Sequence, residues 1–463
     1  MLDQSTICAI STPAGTGGIA VIRVSGADAV NICSRLFKAH SGRTLQDQEP
    51  NTLSVGYFIH AGEIVDEVVT GLFRSPRSFT GEDMVEISCH GSVYIQQTIL
   101  QCLIGEGARL AMPGEFTQRA FLNGKMDLSQ AEAVADLIAS TTSASHKTAL
   151  RQMRGGFSEE IRSLRQQLLK FAALVELELD FSEEDVEFAD RSQLNLLVSD
   201  IGSLIKKLMD SFRLGNAIKN GIPVVIAGET NVGKSTLLNV LLNEEKAIVS
   251  DIHGTTRDVI EDVVNIHGTA FRFFDTAGIR ETSDAIETIG IERTYDKLRQ
   301  AEIILLVVDL TNPAELVLQR INNIRSHTDK QHLIIVANKI DKALEETLQA
   351  VKGIPLKDNE DVVFISAKSR VNTDELIDRM RETLSLDKVD SEDVIVTNMR
   401  HYEALGKAWE AIVRVGSGLD QMISGDLLAQ DIRECLHYLG TIVGDVTEDE
   451  VLGYIFKHFC IGK

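Results

Sequence analysis

The chain has 463 residues, enough for about three domains, and its hydrophobic fraction of 44% favours compact globular structure. The formal net charge of −22 argues against a protein that binds nucleic acid without the help of a partner, because such proteins usually show a basic surface. The longest apolar runs, such as residues 303–308, are too short to cross a bilayer, so no membrane attachment is expected. The six cysteines are scattered without metal-ligand spacing, and no basic leader precedes Pro13, so we expect a cytoplasmic protein.

The first unit, residues 1–120, is predicted to be an α+β domain. Strands are expected at residues 7–10 and 19–24, on either side of a glycine-rich segment at residues 12–18. That segment lacks both the Lys-Ser ending of a phosphate-binding loop and the spacing of a dinucleotide-binding loop, so it is interpreted as a tight turn. Two further strands and a helix are expected at 65–73, 84–88 and 93–104.

Residues 121–218 are predicted to form the first part of a helical domain. Apolar residues recur at helical spacing on two faces: Ala131, Val134, Ala135 and Ile138 on one, and Leu164, Leu168, Phe171, Val175 and Leu179 on the other. The acidic stretch 176–187 is interpreted as a solvated helix end, with a metal site as the less favoured alternative. A further helical stretch, residues 194–212, leads to the next domain.

The most informative stretch is Gly-Glu-Thr-Asn-Val-Gly-Lys-Ser-Thr at residues 228–236, which satisfies the phosphate-binding pattern G-x-x-x-x-G-K-[ST]. A buried strand is predicted before it, at residues 222–227, and a helix after it, at residues 236–242. In that context backbone N–H groups face the phosphates and Lys234 adds a positive charge. Ser235 is placed to put its hydroxyl on a magnesium ion.

Four further motifs follow in the order and spacing of a GTPase: Gly254-Thr255-Thr256-Arg257-Asp258, Asp275-Thr276-Ala277-Gly278, Asn338-Lys339-Ile340-Asp341 and Ser366-Ala367-Lys368. Thr256 would give magnesium a second protein oxygen, and Asp275, after a predicted strand at 271–274, would hold the ion through water. Asp341 would accept both edge N–H groups of guanine, which adenine cannot offer. The third motif braces the guanine pocket, and the fourth, after a predicted strand at 362–365, touches the base from the other side. We predict a guanine-nucleotide domain with a doubly wound sheet over residues 219–384.

Residues 385–463 return to a helical pattern after a charged linker at 387–393. Helices are expected at 402–412 and 427–443, and Thr447-x-x-Glu450 is a capping box that opens a final helix through Phe459. The second of these helices carries an apolar stripe of Ile432, Cys435, Leu436, Leu439, Ile442 and Val443. The predicted fold class is multidomain α/β, in which a P-loop GTPase domain is inserted into an α-helical domain and preceded by the α+β domain.

Three segments outside the GTPase domain resemble the MnmE (TrmE) family of tRNA modification GTPases: residues 79–91, residues 113–132, and the ending Cys460-Ile461-Gly462-Lys463. The resemblance covers essentially the whole chain. It implies an N-terminal domain that forms a homodimer and binds 5-formyl- or methylene-tetrahydrofolate through Arg23, Glu86, Lys125 and Lys463. It also implies that Cys460 is catalytic, although a buried small hydrophobe is the ordinary interpretation of a free cysteine.

The family resemblance also implies the reaction and the partners. With an FAD-dependent MnmG-type partner, in a heterotetramer or larger complex, the protein would act on tRNA. It would add an aminomethyl or carboxymethylaminomethyl group at carbon 5 of the wobble uridine, position 34, of certain tRNAs.

Ile279 stands where Ras-like proteins place a water-orienting glutamine, and an aliphatic side chain cannot orient water. In the family a glutamate further along this segment takes that role, which matches Glu287, and potassium replaces an arginine finger. Asn231 and carbonyl groups of Ser250, Ile252 and Thr255 would ligate the potassium ion. The chain departs from the usual family loop at Glu229-Thr230, where Arg-Pro is common, and at Ser250, where threonine is frequent.

The residues expected to contact GTP or GDP are Asn231, Val232, Gly233, Lys234, Ser235, Thr236, Ser250, Asp251, Ile252, His253, Gly254, Thr255, Asp275, Thr276, Ala277, Gly278, Asn338, Lys339, Ile340, Asp341, Ser366, Ala367 and Lys368.

Two other classes of function remain open at this stage. An Era- or Der-like GTPase switch in ribosome assembly shares this GTPase core, but it would carry a basic RNA-binding domain in place of the N-terminal unit. A structural dimer scaffold would leave the intact magnesium and guanine motifs unexplained.

Overall fold

The computed structural model describes residues 5–180, 191–243, 262–266, 268–274, 299–328, 330–383, 394–446, 449–457, 459 and 462. The chain divides into two compact units. Unit 1 contains residues 1–138, 150–198 and 410–463, and unit 2 contains residues 139–149 and 199–409.

Unit 1 contains a seven-stranded sheet in the order β3-β4-β5-β6-β2-β1-β7. Its strands are β1 Ile7–Ile10, β2 Gly17–Ser25, β3 Phe37–Ala39, β4 Thr52–His60, β5 Glu63–Phe73, β6 Met84–Gly91 and β7 Arg109–Leu110. All neighbouring strands are antiparallel except β1 and β7. The predicted strands at 7–10, 19–24, 65–73 and 84–88 lie within these elements, so the α+β interpretation of this region is confirmed.

The two faces of this sheet differ because its strands alternate in side-chain direction. Helices α1 Ala29–Leu36 and α2 Val93–Gly105 supply apolar side chains to a core that includes Ile22 and Phe58. The register places Leu53, Gly71, Glu86 and Arg23 in one row across four strands, and therefore on the other face. On that face Leu53 is 74% exposed and Val55 is 49% exposed. Polar and apolar side chains thus share one accessible face of the sheet.

Among the described residues, the rest of unit 1 is mainly helical, and several of its helices begin or end outside the unit. These helices are α3 Glu115–Leu122, α4 Leu128–Ala139, α5 Ser143–Met153, α6 Gly156–Asp180, α7 Arg191–Asp210, and, nearer the C-terminus, α13 Met399–Asp420, α14 Gly425–Val443 and α15 Asp449–Lys457. Helix α6 packs on α14.

The predicted apolar faces of α6 and α14 are confirmed in most positions. Residues 164, 168, 171 and 175 are buried, as are 432, 435, 439, 442 and 443 of the α14 stripe, whereas Leu436 is only partly buried. On the first predicted face, in α4, only Ala131 is buried, while Val134 and Ala135 are partly buried and Ile138 is 45% exposed. The side chain of Leu179, most of the acidic stretch 176–187 and Thr447 of the capping box lie outside the described residues.

Unit 2 contains a six-stranded sheet in the order β13-β12-β11-β8-β10-β9, parallel except for β9 and β10. Its strands are β8 Ile222–Ala227, β9 Asp262–Ile266, β10 Thr269–Phe273, β11 Ile303–Asp309, β12 His332–Asn338 and β13 Glu360–Phe364. The helices of this region are α8 Phe212–Asn220, α9 Lys234–Asn243, α10 Ala314–Arg325, α11 Glu345–Lys352 and α12 Thr373–Glu382. Every residue of β8 and β11 is buried, as expected for parallel strands covered on both faces.

None of the helices in the described part of the chain is long and apolar enough to cross a membrane.

Candidate functional site

The predicted phosphate-binding loop lies between the end of β8 and the start of α9. Gly228 and Gly233 have φ angles of 145° and 104°, which residues with a side chain rarely adopt. A Cβ at residue 233 would lie 2.4 Å from Nδ2 of Asn338, and one at residue 228 would lie 2.5 Å from the carbonyl oxygen of Val307. Both glycines are therefore required by backbone conformation and by close packing.

Lys234 begins helix α9 and folds back over the loop. Its Nζ donates to the carbonyl oxygens of Gly228 and Glu229, each at 2.6 Å. Burial lowers the pKa of the Lys234 ammonium, while the Glu229 carboxylate acts in the opposite direction. The Lys234 ammonium is therefore held against the loop backbone. In this motif the lysine contacts the β- and γ-phosphates. Ser235 and Thr236 follow in the first turn of α9, and both are exposed.

Asn338, the last residue of β12, joins three segments of the site. Its Nδ2 donates to the carbonyl oxygen of Val232 in the phosphate-binding loop at 2.8 Å. Its Oδ1 accepts from the N–H groups of Lys339 at 2.8 Å and Ala367 at 3.0 Å. One buried amide thus connects the phosphate-binding loop with both predicted guanine motifs.

Lys339 has a partner that the sequence motifs do not include. Its Nζ donates to Oδ2 of Asp309 at 2.5 Å and to the carbonyl oxygen of Asn231 at 3.1 Å. Burial would raise the pKa of the Asp309 carboxyl, but hydrogen bonds from Lys339 and Thr311 outweigh it and hold that pKa below its usual range. The one sequence signal for Asp309 is a carboxylate at the end of an otherwise apolar strand.

Asp341 and the segment after β13 complete the predicted guanine side of the site. Asp341 is exposed, and a hydrogen bond from the Ser366 side chain is the main cause that lowers the pKa of its carboxyl. Ser366 also exchanges backbone hydrogen bonds with Val371, which fixes the turn that contains Ala367 and Lys368. The carboxylate is therefore ionised and exposed at neutral pH, as a bidentate acceptor must be.

Several predicted site residues lie outside the described residues: Ser250, Asp251, Ile252, His253, Gly254, Thr255, Thr256, Asp275, Thr276, Ala277, Gly278, Glu287, Cys460 and Lys463. The proposed catalytic residues and most of the metal ligands belong to this set. Among the described residues, no group of three or more His, Cys, Asp or Glu side chains could hold a metal ion.

In unit 1, two of the predicted folate contacts meet on the accessible face of the sheet. Arg23 on β2 lies directly opposite Glu86 on β6, and its Nε donates to Oε1 of Glu86 at 2.8 Å. The Arg23 guanidinium also lies over the ring of Phe79, 5.4 Å from its centroid. A cation, a carboxylate and an aromatic ring are therefore adjacent, and sequence reasoning did not assign Phe79 to this group.

Lys125 and Gly462 approach this region from different parts of the chain. Lys125 Nζ donates to the carbonyl oxygen of Pro76 at 2.9 Å, in the loop that carries Phe79. Ser11, which follows β1, donates from its hydroxyl to the carbonyl oxygen of Gly462 at 3.0 Å. Gly462 has a φ angle of 91°, and a Cβ there would lie 2.3 Å from the carbonyl oxygen of Ile10.

A buried ion network in unit 1 centres on Glu115, the first residue of α3. Glu115 is fully buried and accepts hydrogen bonds from Arg109 and Arg119, at distances between 2.6 and 3.3 Å. Arg119 also donates to both carboxylate oxygens of Glu82 at 3.1 Å, and Glu82 accepts from Ser25. Burial would raise the pKa of Glu115, but these hydrogen bonds keep it below its usual range.

The five described cysteines are free and buried. Burial raises the pKa of both the Cys8 and the Cys435 thiol to about 12, so neither is a thiolate at neutral pH. This environment is typical of structural rather than reactive cysteines.

Comparisons with known proteins cover the whole length of the chain. The family profile described as the GTP-binding protein TrmE N-terminus matches residues 6–125, and the MnmE helical domain profile matches residues 128–460. The tRNA modification GTPase MnmE of Bacteroides thetaiotaomicron is 58% identical over 100% of both chains. The protein of the same name from Christiangramia forsetii is 52% identical over 99% of both. Among solved structures, Era from Aquifex aeolicus is 30% identical over 41% of this chain and 66% of its own, with a TM-score of 0.26.

Proposed function

This chain belongs to the MnmE family of tRNA modification GTPases, and we propose that it uses GTP hydrolysis in modifying the wobble uridine of certain tRNAs. The reaction would add an aminomethyl or carboxymethylaminomethyl group at carbon 5 of uridine 34. A homodimer would act together with an FAD-dependent MnmG-type partner, in a heterotetramer or larger complex. The Era- or Der-like alternative is not favoured, because the family profiles and full-length relatives also cover the N-terminal and helical regions.

The observation that carries the nucleotide part of the proposal is the arrangement around Asn338. Its buried amide connects the phosphate-binding loop with both guanine motifs, so phosphate binding and base recognition share one rigid support. The exposed, ionised Asp341 can then accept two N–H groups from guanine, whereas adenine would leave one acceptor facing an unprotonated ring nitrogen. These contacts support preference for GTP and GDP over adenine nucleotides.

Magnesium and potassium would act at the phosphate end of the same site. Ser235 lies at the start of α9 and is exposed, which suits a hydroxyl ligand to magnesium, and Thr256 would be the second ligand. Asn231 has a φ angle of 63° and is also exposed, so its amide oxygen is available to a potassium ion. Bound there, potassium supplies positive charge against the charge that develops on the phosphates. Glu287 would orient the attacking water, since Ile279 cannot.

The N-terminal part of the proposal rests on the Arg23, Glu86 and Phe79 group. Reduced folates carry a flat pterin ring with hydrogen-bond donors and a carboxylate-bearing tail. The Arg23–Glu86 ion pair beside the Phe79 ring suits the flat pterin ring and its hydrogen-bond donors. The Lys125 ammonium suits the carboxylates of the tail. The folate, as the 5-formyl or methylene form, supplies the one-carbon unit. The role of Arg23, Glu86, Lys125 and Lys463 is to bind and orient it.

The nucleotide assignment is tested by hydrolysis assays on the full-length protein with magnesium. We expect GTP to be hydrolysed and ATP not, with faster turnover in potassium than in sodium. Asp341→Asn should shift preference toward xanthosine nucleotides, because one acceptor of the pair becomes a donor. Unchanged GTP preference in that variant would contradict the assignment of Asp341.

The tRNA assignment is tested with the partner protein and tRNA. Cys460→Ser should lose wobble-uridine modification while retaining potassium-stimulated GTP hydrolysis, because a thiolate nucleophile has no role at the nucleotide site. Full modification of tRNA by Cys460→Ser would contradict a catalytic role for this cysteine and would leave it an ordinary packing residue. Its GTPase rate provides the internal control for folding.

A further inference from the structure

The second residue of the phosphate-binding loop is held by an ion pair with a neighbouring helix. Oε2 of Glu229 pairs with Nη2 of Arg320, which lies on helix α10. The Glu229 side chain is 51% exposed, and that of Arg320 is 21% exposed. An acidic residue at this position is unfavourable for binding, because the proposed ligand of the loop is itself an anion.

The arginine depends on this partner. Nε and Nη1 of Arg320 are buried and have no hydrogen-bond partner in the part of the chain that the structure describes. The guanidinium is therefore satisfied chiefly by the Glu229 carboxylate. Because an unpaired buried charge is costly, the pair fixes both the arginine and the side chain of the loop residue.

Glu229 also lies at the end of the loop that receives the most negative part of the nucleotide. Lys234 Nζ, which contacts the β- and γ-phosphates in this motif, lies 2.6 Å from the Glu229 carbonyl oxygen. The Glu229 carboxylate acts electrostatically on the Lys234 ammonium, so it is also expected to act on, and repel, the phosphates that this lysine contacts. The repulsion is greater for GTP than for GDP, since GTP carries one more phosphate at this end.

We propose that Arg320 is a positioning residue that sets the relative affinity for GTP and GDP, by neutralising Glu229 and holding it away from the γ-phosphate. The inference rests on the proposed nucleotide function. It accounts for how this chain carries an acidic residue where its family commonly has arginine. The ion pair also connects helix α10 with the nucleotide-binding loop.

The test measures the affinity of the full-length protein for GDP and for a slowly hydrolysed GTP analogue by calorimetry. In Arg320→Met, we expect analogue affinity to fall about fivefold and GDP affinity by less than about twofold, because the exposed carboxylate is then unpaired. High salt should shrink this difference, since salt screens exposed charges. The double variant Glu229→Gln/Arg320→Met should return the ratio of the two affinities to within about twofold of the wild type, because no charge remains to repel the phosphates.

Arg325→Met is the matched control. Arg325 lies on the same helix and pairs with the buried Glu360 at 2.7 Å, but it does not contact the loop in the described structure. Its removal should leave the ratio of affinities unchanged. Arg320→Gln replaces Arg320→Met if the latter does not fold.

Three results would overturn the inference: equal losses for both nucleotides in Arg320→Met, no recovery in the double variant, or the same change in Arg325→Met. Absence of guanine-nucleotide binding by the wild-type protein would instead contradict the proposed function itself.

Discussion

The two sheets of this protein place their candidate functional side chains in different ways. In the parallel sheet of unit 2, β8 and β11 are buried throughout, and the polar groups of the site stand at strand ends, as Asp309 and Asn338 do. In the antiparallel sheet of unit 1, Arg23 and Glu86 lie within strands, on a face that remains accessible. A sheet covered on both faces can present polar side chains to a ligand only where its strands end. A sheet with one accessible face can present them anywhere along a strand.

The largest expected effect tests this difference directly, with one substitution made in each sheet. Val307→Asn in β11 should destabilise unit 2 by about 4 kcal/mol, because it removes buried apolar surface and buries an amide without partners. Val55→Asn in β4, at an exposed position, should change stability by less than about 0.5 kcal/mol. Urea unfolding with hydrogen exchange of peptides from each unit would measure both. Similar costs at the two positions would contradict the comparison.

The buried ion network should give the next largest effect. Glu115→Gln should destabilise unit 1 by about 3 kcal/mol, because it leaves Arg119, only 4% exposed, without its closest counter-charge. The folded pKa of Glu115 lies below its unfolded value of about 4.3. Its contribution is therefore fully present above about pH 4.3 and is lost as the pH falls through the folded pKa.

Acid unfolding curves would check this prediction. The Glu115→Gln variant should show a shallower loss of stability with acid than the wild type, while Glu63→Gln, at an exposed position, should follow the wild type. Parallel curves for Glu115→Gln and the wild type would indicate that Glu115 is not the group responsible.

Loss of the Asn338 amide should have a somewhat smaller effect, and mainly on binding. Asn338→Ala should weaken GTP binding by about 2 kcal/mol, or roughly thirtyfold, because the Val232 carbonyl and the Ala367 N–H lose their buried partner. Calorimetric titration with GTP measures this loss. The exposed Asn322→Ala is the control and should bind as the wild type does.

The smallest stability effect is expected at the accessible face of unit 1. Arg23→Gln should cost less than about 1 kcal/mol, because its ion pair with Glu86 is partly exposed. The same change should weaken calorimetric binding of 5-formyl-tetrahydrofolate about tenfold, since a charge-assisted contact is lost. A large loss of stability without a change in folate affinity would mean that Arg23 is structural.

The contrast between the sheets also explains what the sequence could predict. The strand at 222–227 and the loop after it were predicted correctly, because buried parallel strands are continuous apolar runs and a glycine-rich loop follows a fixed pattern. Asp309 was missed because a single carboxylate after a strand is not distinctive until Lys339 is found beside it. Arg320 was missed for the same reason, since its partner Glu229 is 91 positions away in sequence and only folding brings the two together.

The N-terminal site was less predictable for a related reason. Arg23 and Glu86 are isolated charged residues on two strands that are far apart in the sequence. Their pairing depends on the register of β2 with β6. The family resemblance predicted both as folate contacts, but it did not indicate Phe79, whose ring lies against Arg23. Periodicity also overestimated the buried face of α4 at Ile138, because the end of a helix can project beyond the core it covers.

The contact between Ser11 and Gly462 has a consequence for how the chain is made. The two residues are 451 positions apart, so one partner leaves the ribosome long before the other exists. At about 10 residues per second, the first strand would wait roughly 45 s for this neighbour. Until then the Ser11 hydroxyl lacks this partner, and helix α6 waits a shorter time, roughly 27 s at the same rate, for α14. A nascent chain stalled between residues 199 and 409 would therefore lack the C-terminal part of unit 1, residues 410–463.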